Sequence, residues 1–355
     1  MKAALLKEFG FPLAVEEVPD PVLGTGEVIV DVVAARMLPY AGEVFSGERG
    51  YLLDLPVVPG SGAIGRVRAV GRDATRLAVG DWVFCDPTVR SRDDALAPDV
   101  ILQGLTALSD GGLRLQRHFR NGALAEQMMI PTENAIPLGA VDPADAAKWC
   151  SLGVLLVPYG GLLAANLQAG ETILVSGATG HFGSAAVAVA LAMGAACVVA
   201  PGRNEAALKE LTHRFGPRVR TVRLAGDEET DRERMRQAAP GPIDCVLDLL
   251  SPAAGTAAVR AAAMTVRDGG RIVLMGGVGG DLPLNYSWVM RHNITVRGQF
   301  MYPREANGRL IQLIRSGLLE LDAFDITEFA LADANEAVAH AAANGGPFRL
   351  TLVRP

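Results

Sequence analysis

Three features of the sequence predict an α/β protein with a β-rich first domain and a doubly wound parallel sheet after it. From about Asp145 onward, apolar runs suited to buried parallel strands alternate with helical segments. Before that, short strand-like runs are punctuated by Pro and Gly. In the second half, one strand runs directly into a glycine-rich turn and a small-residue helix. The chain has 355 residues, 50% of them hydrophobic and 20% charged, enough to bury a large core. Its net charge of −6 excludes a nucleic-acid binder or a basic membrane-surface protein.

In the first part, Glu27–Val33, Gly62–Val70 and Asp81–Phe84 read as strands, bounded by Pro19, Pro21, Gly24, Gly26, Pro56, Pro59 and Gly60. Between Asp86 and Gly122 periodicity fails, which predicts a lobe or long loop. The second part offers strands at Thr172–Ser176, Ala196–Ala200, Ile243–Leu250, Arg271–Met275 and Ile294–Val296. Helices are expected at Glu205–Phe215, Glu228–Ala239 and Pro252–Val266. After Phe300 come a helix (Asn307–Gly317), a second helix (Ala334–Ala343) and a last strand (Phe348–Val353). This tail breaks the alternation, so residues 1–150 completed by 300–355 form one expected domain and 151–299 the other.

Cys85, Cys150, Cys197 and Cys245 contain no C-x-x-C pair, which suits a reduced cytosol better than a disulfide framework or a zinc knuckle. The start, Met1–Lys7, is an apolar run broken by lysine, too short for a signal peptide. Ser184–Ala200 is uncharged but shorter than the roughly 20 residues needed to span a bilayer. It reads as a close-packed helix followed by a strand. A cytoplasmic enzyme with a small-molecule substrate, and no nucleic-acid or membrane partner, is the expectation.

The segment Thr172–Ser176 followed by Gly177-Ala178-Thr179-Gly180-His181-Phe182-Gly183 has the small residues that a pyrophosphate cradle needs. They serve the tight turn, the approach of backbone amides, and close helix–strand packing. Ala178 holds the first slot of the usual glycine pattern; the bland alternative is an ordinary strand–helix turn. His181 offers its backbone amide there. At the end of the next strand, Gly202-Arg203 stands where an NAD site carries a carboxylate for the ribose 2′-hydroxyl. Gly202 leaves room and Arg203 presents a fork of donors for a 2′-phosphate, which points to NADP(H). Glu205 nearby reads as a first-turn helix residue.

The whole chain resembles the medium-chain dehydrogenase/reductase superfamily, in its zinc-independent, quinone reductase-like branch. The resemblance rests on Gly26-Glu27-Val28, Pro59-Gly60-Ser61-Gly62-Ala63-Ile64-Gly65, Val79-Gly80-Asp81-Trp82-Val83, the Gly177–Gly183 loop, Gly269-Gly270-Arg271-Ile272-Val273 and Pro347-Phe348-Arg349-Leu350. It implies a GroES-like catalytic domain and a Rossmann nucleotide domain. Zinc-dependent members hold their catalytic metal with a Cys, a His followed by Glu, and a third Cys or Asp. Here those slots hold Leu38, Ser61 with Gly62, and Gly153, with only Cys150 close by. The 86–122 stretch has no cysteine for a structural zinc. The resemblance therefore implies neither zinc.

A reductase without a metal needs a hydrogen-bond donor for the charge that develops on oxygen. Tyr40 occupies the slot where zinc-dependent members place a proton-relaying Ser or Thr; the alternative is that it only lines the pocket. Ser61 is the second candidate, or merely a residue that permits a bend. Tyr159, Tyr302 and Trp288 are candidate pocket walls or plain packing residues, and His118, His213 and His340 read as surface residues. The resemblance places the nicotinamide end at Gly276-Gly277 and lets Arg349 reach the pyrophosphate or form a surface salt bridge. It implies an NADPH-dependent reductase of carbonyl compounds. The alternatives are quinone or enone C=C reduction, or a non-catalytic NADPH-binding protein of the crystallin kind. A homodimer or homotetramer pairing through an edge strand at Ile294–Gly298 is expected.

Overall fold

The computed structural model describes all 355 residues, which form two compact units. The first contains Met1–Gly153, Leu321–Gly345 and Arg349–Pro355; the second contains Val154–Glu320 and Gly346–Phe348.

The first unit is built on a seven-stranded sheet. Its path runs Ala135–Pro137, Trp82–Cys85, Ala63–Val70, Glu27–Met37, Arg349–Arg354 and Asp325–Ala330, while Gln127–Pro131 pairs with the first half of Glu27–Met37. Glu27–Met37 is buried along nearly its full length because it lies between neighbours on both sides. Residues 86–122, read as an irregular lobe, contain a small antiparallel sheet of Thr88–Arg90, Val100–Leu102 and Thr106–Ala107. The helix Asp110–His118 follows, and its N-cap Ser109 Oγ accepts the Gly112 N–H at 2.9 Å. Val89, Ile101, Ala107 and Phe119 form its private core. Strands of two or three residues are too short to show a period.

The second unit is the expected doubly wound sheet. Six parallel strands lie in the order Val219–Arg223, Cys197–Gly202, Thr172–Ser176, Ile243–Asp248, Val266–Leu274 and Thr295–Gly298. Strand order reverses beside Thr172–Ser176, and in such sheets ligands lie at the carboxyl edge at that point. The expected helix Pro252–Val266 is shorter, Thr256–Ala263, because Val266 already opens the next strand. Val219–Arg223 was not anticipated: its three-residue turn and its arginines hide an edge strand.

Residues 300–320 cluster with the second unit, not with the first as expected. Helix Glu305–Arg315 buries Ala306, Asn307 and Leu310, and Tyr302 crowds Gly160 so closely that a Cβ there would lie 2.9 Å from the Tyr302 Cα. The helical run Ala146–Ala164 is long and apolar enough to cross a membrane, but 83% of that window is buried within the protein, as in a core helix.

Phe348 anchors the return of the chain. It is fully buried at φ 53°, packs at a 55° tilt against Phe215 with ring centroids 5.6 Å apart, and lies under the Arg214 guanidinium at 4.8 Å. Its N–H donates to Ser184 Oγ at 3.3 Å. Truncation to alanine leaves a cavity, so Phe348→Ala should cost the second unit about 3–5 kcal/mol, read as an earlier urea midpoint.

Candidate active site

The second unit carries the strand–turn–helix that the sequence reads as a nucleotide cradle. Gly177 turns the chain at φ 86°, and its carbonyl accepts the Gly180 N–H at 2.9 Å. Gly180 is the N-cap of helix His181–Ala192 and has no side chain to cap it. The first-turn amides of a helix have no acceptor within it, so they point outward as an anion site. A Cβ on Gly183 would fall inside the Gly177 carbonyl oxygen; only hydrogen fits, and the helix start is held against the turn. Ala178 is fully buried and packs the loop rather than facing a ligand. Gly180 is exposed, and Thr179, His181 and Phe182 are half-buried at the rim. These residues fit a pyrophosphate.

At the end of the next strand, the side chain of Thr179 faces Gly202, where a Cβ would lie 3.0 Å from Thr179 Oγ1. No acidic side chain fits there. Arg203 is exposed and makes no hydrogen bond or ion pair. Gly202 pairs in register with Arg223, whose guanidinium lies 3.7 Å from Glu205. Glu205, read as a helix first-turn residue, therefore also balances a second cation at this end. Arg223 was missed because its strand was missed.

Gly276 and Gly277 are exposed at the carboxyl edge of the sheet. The Gly277 N–H donates to the Leu250 carbonyl at 2.8 Å and the Met275 N–H to the Asp248 carbonyl at 3.1 Å, which joins the two edge loops. Beneath them sits Asp248, a further residue the sequence reading passed over. It is 3% exposed, lies beside Ser176 in the sheet, and its Oδ1 has no hydrogen-bond partner. Burial pushes its carboxyl up to about 6, opposed by the Leu250 amide, the Ser176 hydroxyl and the Gly276 amide. A carboxylate closing an apolar strand run was the available signal.

The first unit holds the chemical candidates. Tyr40 is the N-cap residue of the short helix Ala41–Phe45 and is half-buried. The Arg49 guanidinium stacks on its ring at 4.0 Å and is itself tied to Glu43 at 2.9 Å. The Tyr40 hydroxyl makes no hydrogen bond within the protein. Burial first, and neighbouring Tyr51 next, push its pKa up to about 12, while Arg36 and Arg49 oppose the rise. The phenol stays protonated at neutral pH and is available as a donor. Ser61 is 4% exposed, in a tight turn whose next residue, Gly62, has φ 85°.

The residues here do not fit a metal. Leu38 is apolar and buried, Ser61 and Gly62 bring no imidazole or carboxylate, and position 153 is glycine. Cys150 is a thiol donating to the Ala34 carbonyl at 3.4 Å, and burial holds its pKa at about 12. Nowhere do three or more His, Cys, Asp or Glu residues gather in metal-binding geometry.

The remaining aromatic and histidine candidates are placed as follows. Tyr159 and Tyr302 are buried, and Trp288 packs on the core beneath the nucleotide sheet. His118 pairs with Glu27 at 2.5 Å, His340 bonds Thr351 Oγ1 at 3.0 Å, and His213 is exposed. Arg349 is exposed and unpaired, directly after the anchored Phe348.

Two family models match. One described as an alcohol dehydrogenase GroES-like domain covers residues 24–140, and one described as zinc-binding dehydrogenase covers residues 182–316. An acryloyl-coenzyme A reductase from Metallosphaera sedula is 30% identical over 285 residues, 78% of this chain and 77% of that protein. The chain belongs to the medium-chain dehydrogenase/reductase superfamily. It is an oxidoreductase of that type. An alcohol dehydrogenase from Moraxella sp. is 28% identical over 317 residues, covering 86% of each chain. Among solved structures, one from Sinorhizobium meliloti 1021 with NADP bound superposes with a TM-score of 0.80 at 21% identity, covering 100% of this chain and 99% of that one. This likeness carries the fold.

Asp248 gives the superfamily site a pH signature. An acid whose folded pKa lies above its ordinary 3.8 favours the fold most when protonated. That contribution is complete below the unfolded value and is lost as pH rises through about 6. Between about pH 7.5 and about pH 4.5, wild type should therefore gain about 2 kcal/mol of stability relative to Asp248→Asn. Urea melts of both proteins across that range check it; a constant difference contradicts it.

Proposed function

We infer that this oxidoreductase is a zinc-independent, NADPH-dependent reductase of carbonyl compounds, running in reverse as an alcohol dehydrogenase. The observation that carries the coenzyme choice is the ribose end. Gly202 excludes the carboxylate of an NAD site, and Arg203 stands exposed with no partner, ready for a 2′-phosphate. In this reading the pyrophosphate lies on the amides of Gly180–Gly183, with Ala178 and Thr179 shaping the turn. Gly276 and Gly277 border the nicotinamide end, and Arg349 adds a charge to the pyrophosphate.

NADPH, when bound, supplies the hydride for the carbonyl carbon. Tyr40 donates the proton to the resulting oxyanion, since its phenol is neutral and its hydroxyl unengaged. Ser61 is the second candidate donor. The substrate is a small molecule; the same reading carries a cytoplasmic protein with no nucleic-acid or membrane partner. It also carries a homodimer or homotetramer paired through the sheet edge Thr295–Gly298, whose residues are all exposed.

A second reading, hydride delivery to the β-carbon of an enone or thioester enoyl group, is favoured by the acryloyl-coenzyme A reductase relative. Leu38-Pro39-Tyr40 departs from the asparagine-containing stretch that the resemblance to quinone reductases would bring, and so keeps carbonyls in front.

A panel of aldehydes, ketones, enones and quinones with NADPH and NADH separates these readings. Aldehydes and ketones should be turned over with NADPH, and enones alone would favour the second. In fluorescence titrations NADPH should bind at least about tenfold tighter than NADH, a preference that Arg203→Ala abolishes through loss of a charge-assisted contact. Tyr40→Phe should lower kcat about 100-fold while leaving NADPH affinity unchanged. Unchanged turnover would remove Tyr40 from its role.

A further inference from the structure

In the second unit, residues 248–250 join the two loops at the carboxyl edge of the sheet, and a buried carboxyl opens that strap. Asp248 closes a strand whose preceding residues, Cys245-Val246-Leu247, are all buried and apolar. On one side the Leu249 N–H donates to the Ser176 carbonyl at 3.0 Å, and a Cβ on Gly177 would lie 2.9 Å from the Leu249 carbonyl oxygen. On the other side a Cβ on Gly276 would collide with Asp248 Oδ2 and lie 2.8 Å from the Leu250 carbonyl oxygen. The carboxyl therefore rests directly against the backbone of Gly276, which is itself exposed at the edge.

Burying an acid is costly unless its charge is paired or used. No cation pairs with Asp248, and its Oδ1 has no hydrogen-bond partner. The groups set against it are the Ser176 hydroxyl from the strand Thr172–Ser176, the Gly276 amide from the loop after Val266–Leu274, and the Leu250 amide from its own loop, all uncharged. The cations on the flanking elements are committed elsewhere. Arg271 pairs with Glu171 at 2.5 Å and Arg267 with Asp244 at 2.7 Å, and on helix Thr256–Ala263 Arg260 pairs with Glu228 at 2.6 Å. The carboxyl is an acid without a counter-ion, and burial brings its titration up to about 6.

We propose that Asp248 is the counter-charge by which this site tells the oxidised, cationic nicotinamide ring from the reduced, neutral one, so that it binds NADP+ in preference to NADPH. The inference rests on the coenzyme reading above, which puts the nicotinamide end at Gly276-Gly277. A carboxylate at a low-dielectric edge attracts a positive ring more strongly than one in water does, and it gives a neutral ring no such attraction. The preference exists only while Asp248 is ionised. NADP+ binding to the protonated protein therefore expels the Asp248 proton to solvent, whereas NADPH binding leaves it in place. In the reductase reading the same charge favours the forward step. The hydride passes with its electron pair to the carbonyl carbon, and the ring left behind is the cation that Asp248 stabilises. A carboxylate already in position costs no reorganisation when that charge forms.

The test titrates the full-length protein and Asp248→Asn with NADP+ and with NADPH at about pH 5 and about pH 8. In wild type the affinity ratio of NADP+ to NADPH should rise at least about fivefold between the two pH values. In Asp248→Asn it should stay at the low-pH ratio of wild type. The 2′-phosphate titrates over the same range, but both coenzymes carry it, so it cancels in the ratio. An aspartate that only shaped the loops would change both affinities together and leave the ratio flat. Calorimetry at about pH 6 in two buffers of different ionisation heat should also show NADP+ binding release nearly half a proton in wild type and NADPH binding none. A pH-independent ratio in wild type that binds both coenzymes would overturn the inference and leave the reductase reading intact. A ratio that follows Asp248, in a protein that reduces no compound of the panel, would support the counter-charge and defeat the reductase reading. Binding of neither coenzyme would overturn both. If Asp248→Asn does not fold, the wild-type ratio and proton release decide.

Discussion

The contact between Gly183 and the Gly177 carbonyl sets most of the nucleotide half-site. Because no atom fits between helix start and turn, the helix His181–Ala192 is pinned against the end of the strand Thr172–Ser176. Its free amides are thereby aimed out of the carboxyl edge of the sheet, where the next strand ends in Gly202 and the fourth brings Asp248. The alanine-rich character of that helix follows from the same constraint. It is buried from Gly183 to Leu191, and larger side chains would push it off the sheet.

Each unit also buries charged residues, among them Arg36 in the first and Asp248 in the second. In the second, Asp248 lies under the edge loops with an oxygen unpartnered, and burial makes its carboxyl easier to protonate. In the first, Arg36 opposes the burial-driven rise in the pKa of Tyr40.

Much of this was legible from the chain. Strand–helix alternation gave the doubly wound sheet, and the glycine spacing gave the tight strand–helix turn, because both reflect local sterics. What escaped depended on pairing or on burial. Val219–Arg223 alternates with arginines and gains its place only by lying beside Cys197–Gly202, so Arg223 was invisible as a neighbour of Gly202. The strands within 88–107 are two or three residues long and draw their stability from their own small core. Arg36 and Asp248 are charges inside apolar runs that the sequence reading passed over, because only packing shows that they are buried. The placement of residues 300–320 turned on the contact of Tyr302 with Gly160, which no periodicity announces.

The most direct measurement is a crystal structure of the protein grown with NADPH. Density for the pyrophosphate on the Gly180–Gly183 amides, with the 2′-phosphate against Arg203, is the predicted result. A coenzyme whose phosphates lie away from that turn, or whose ribose end leaves Arg203 in solvent, would contradict it.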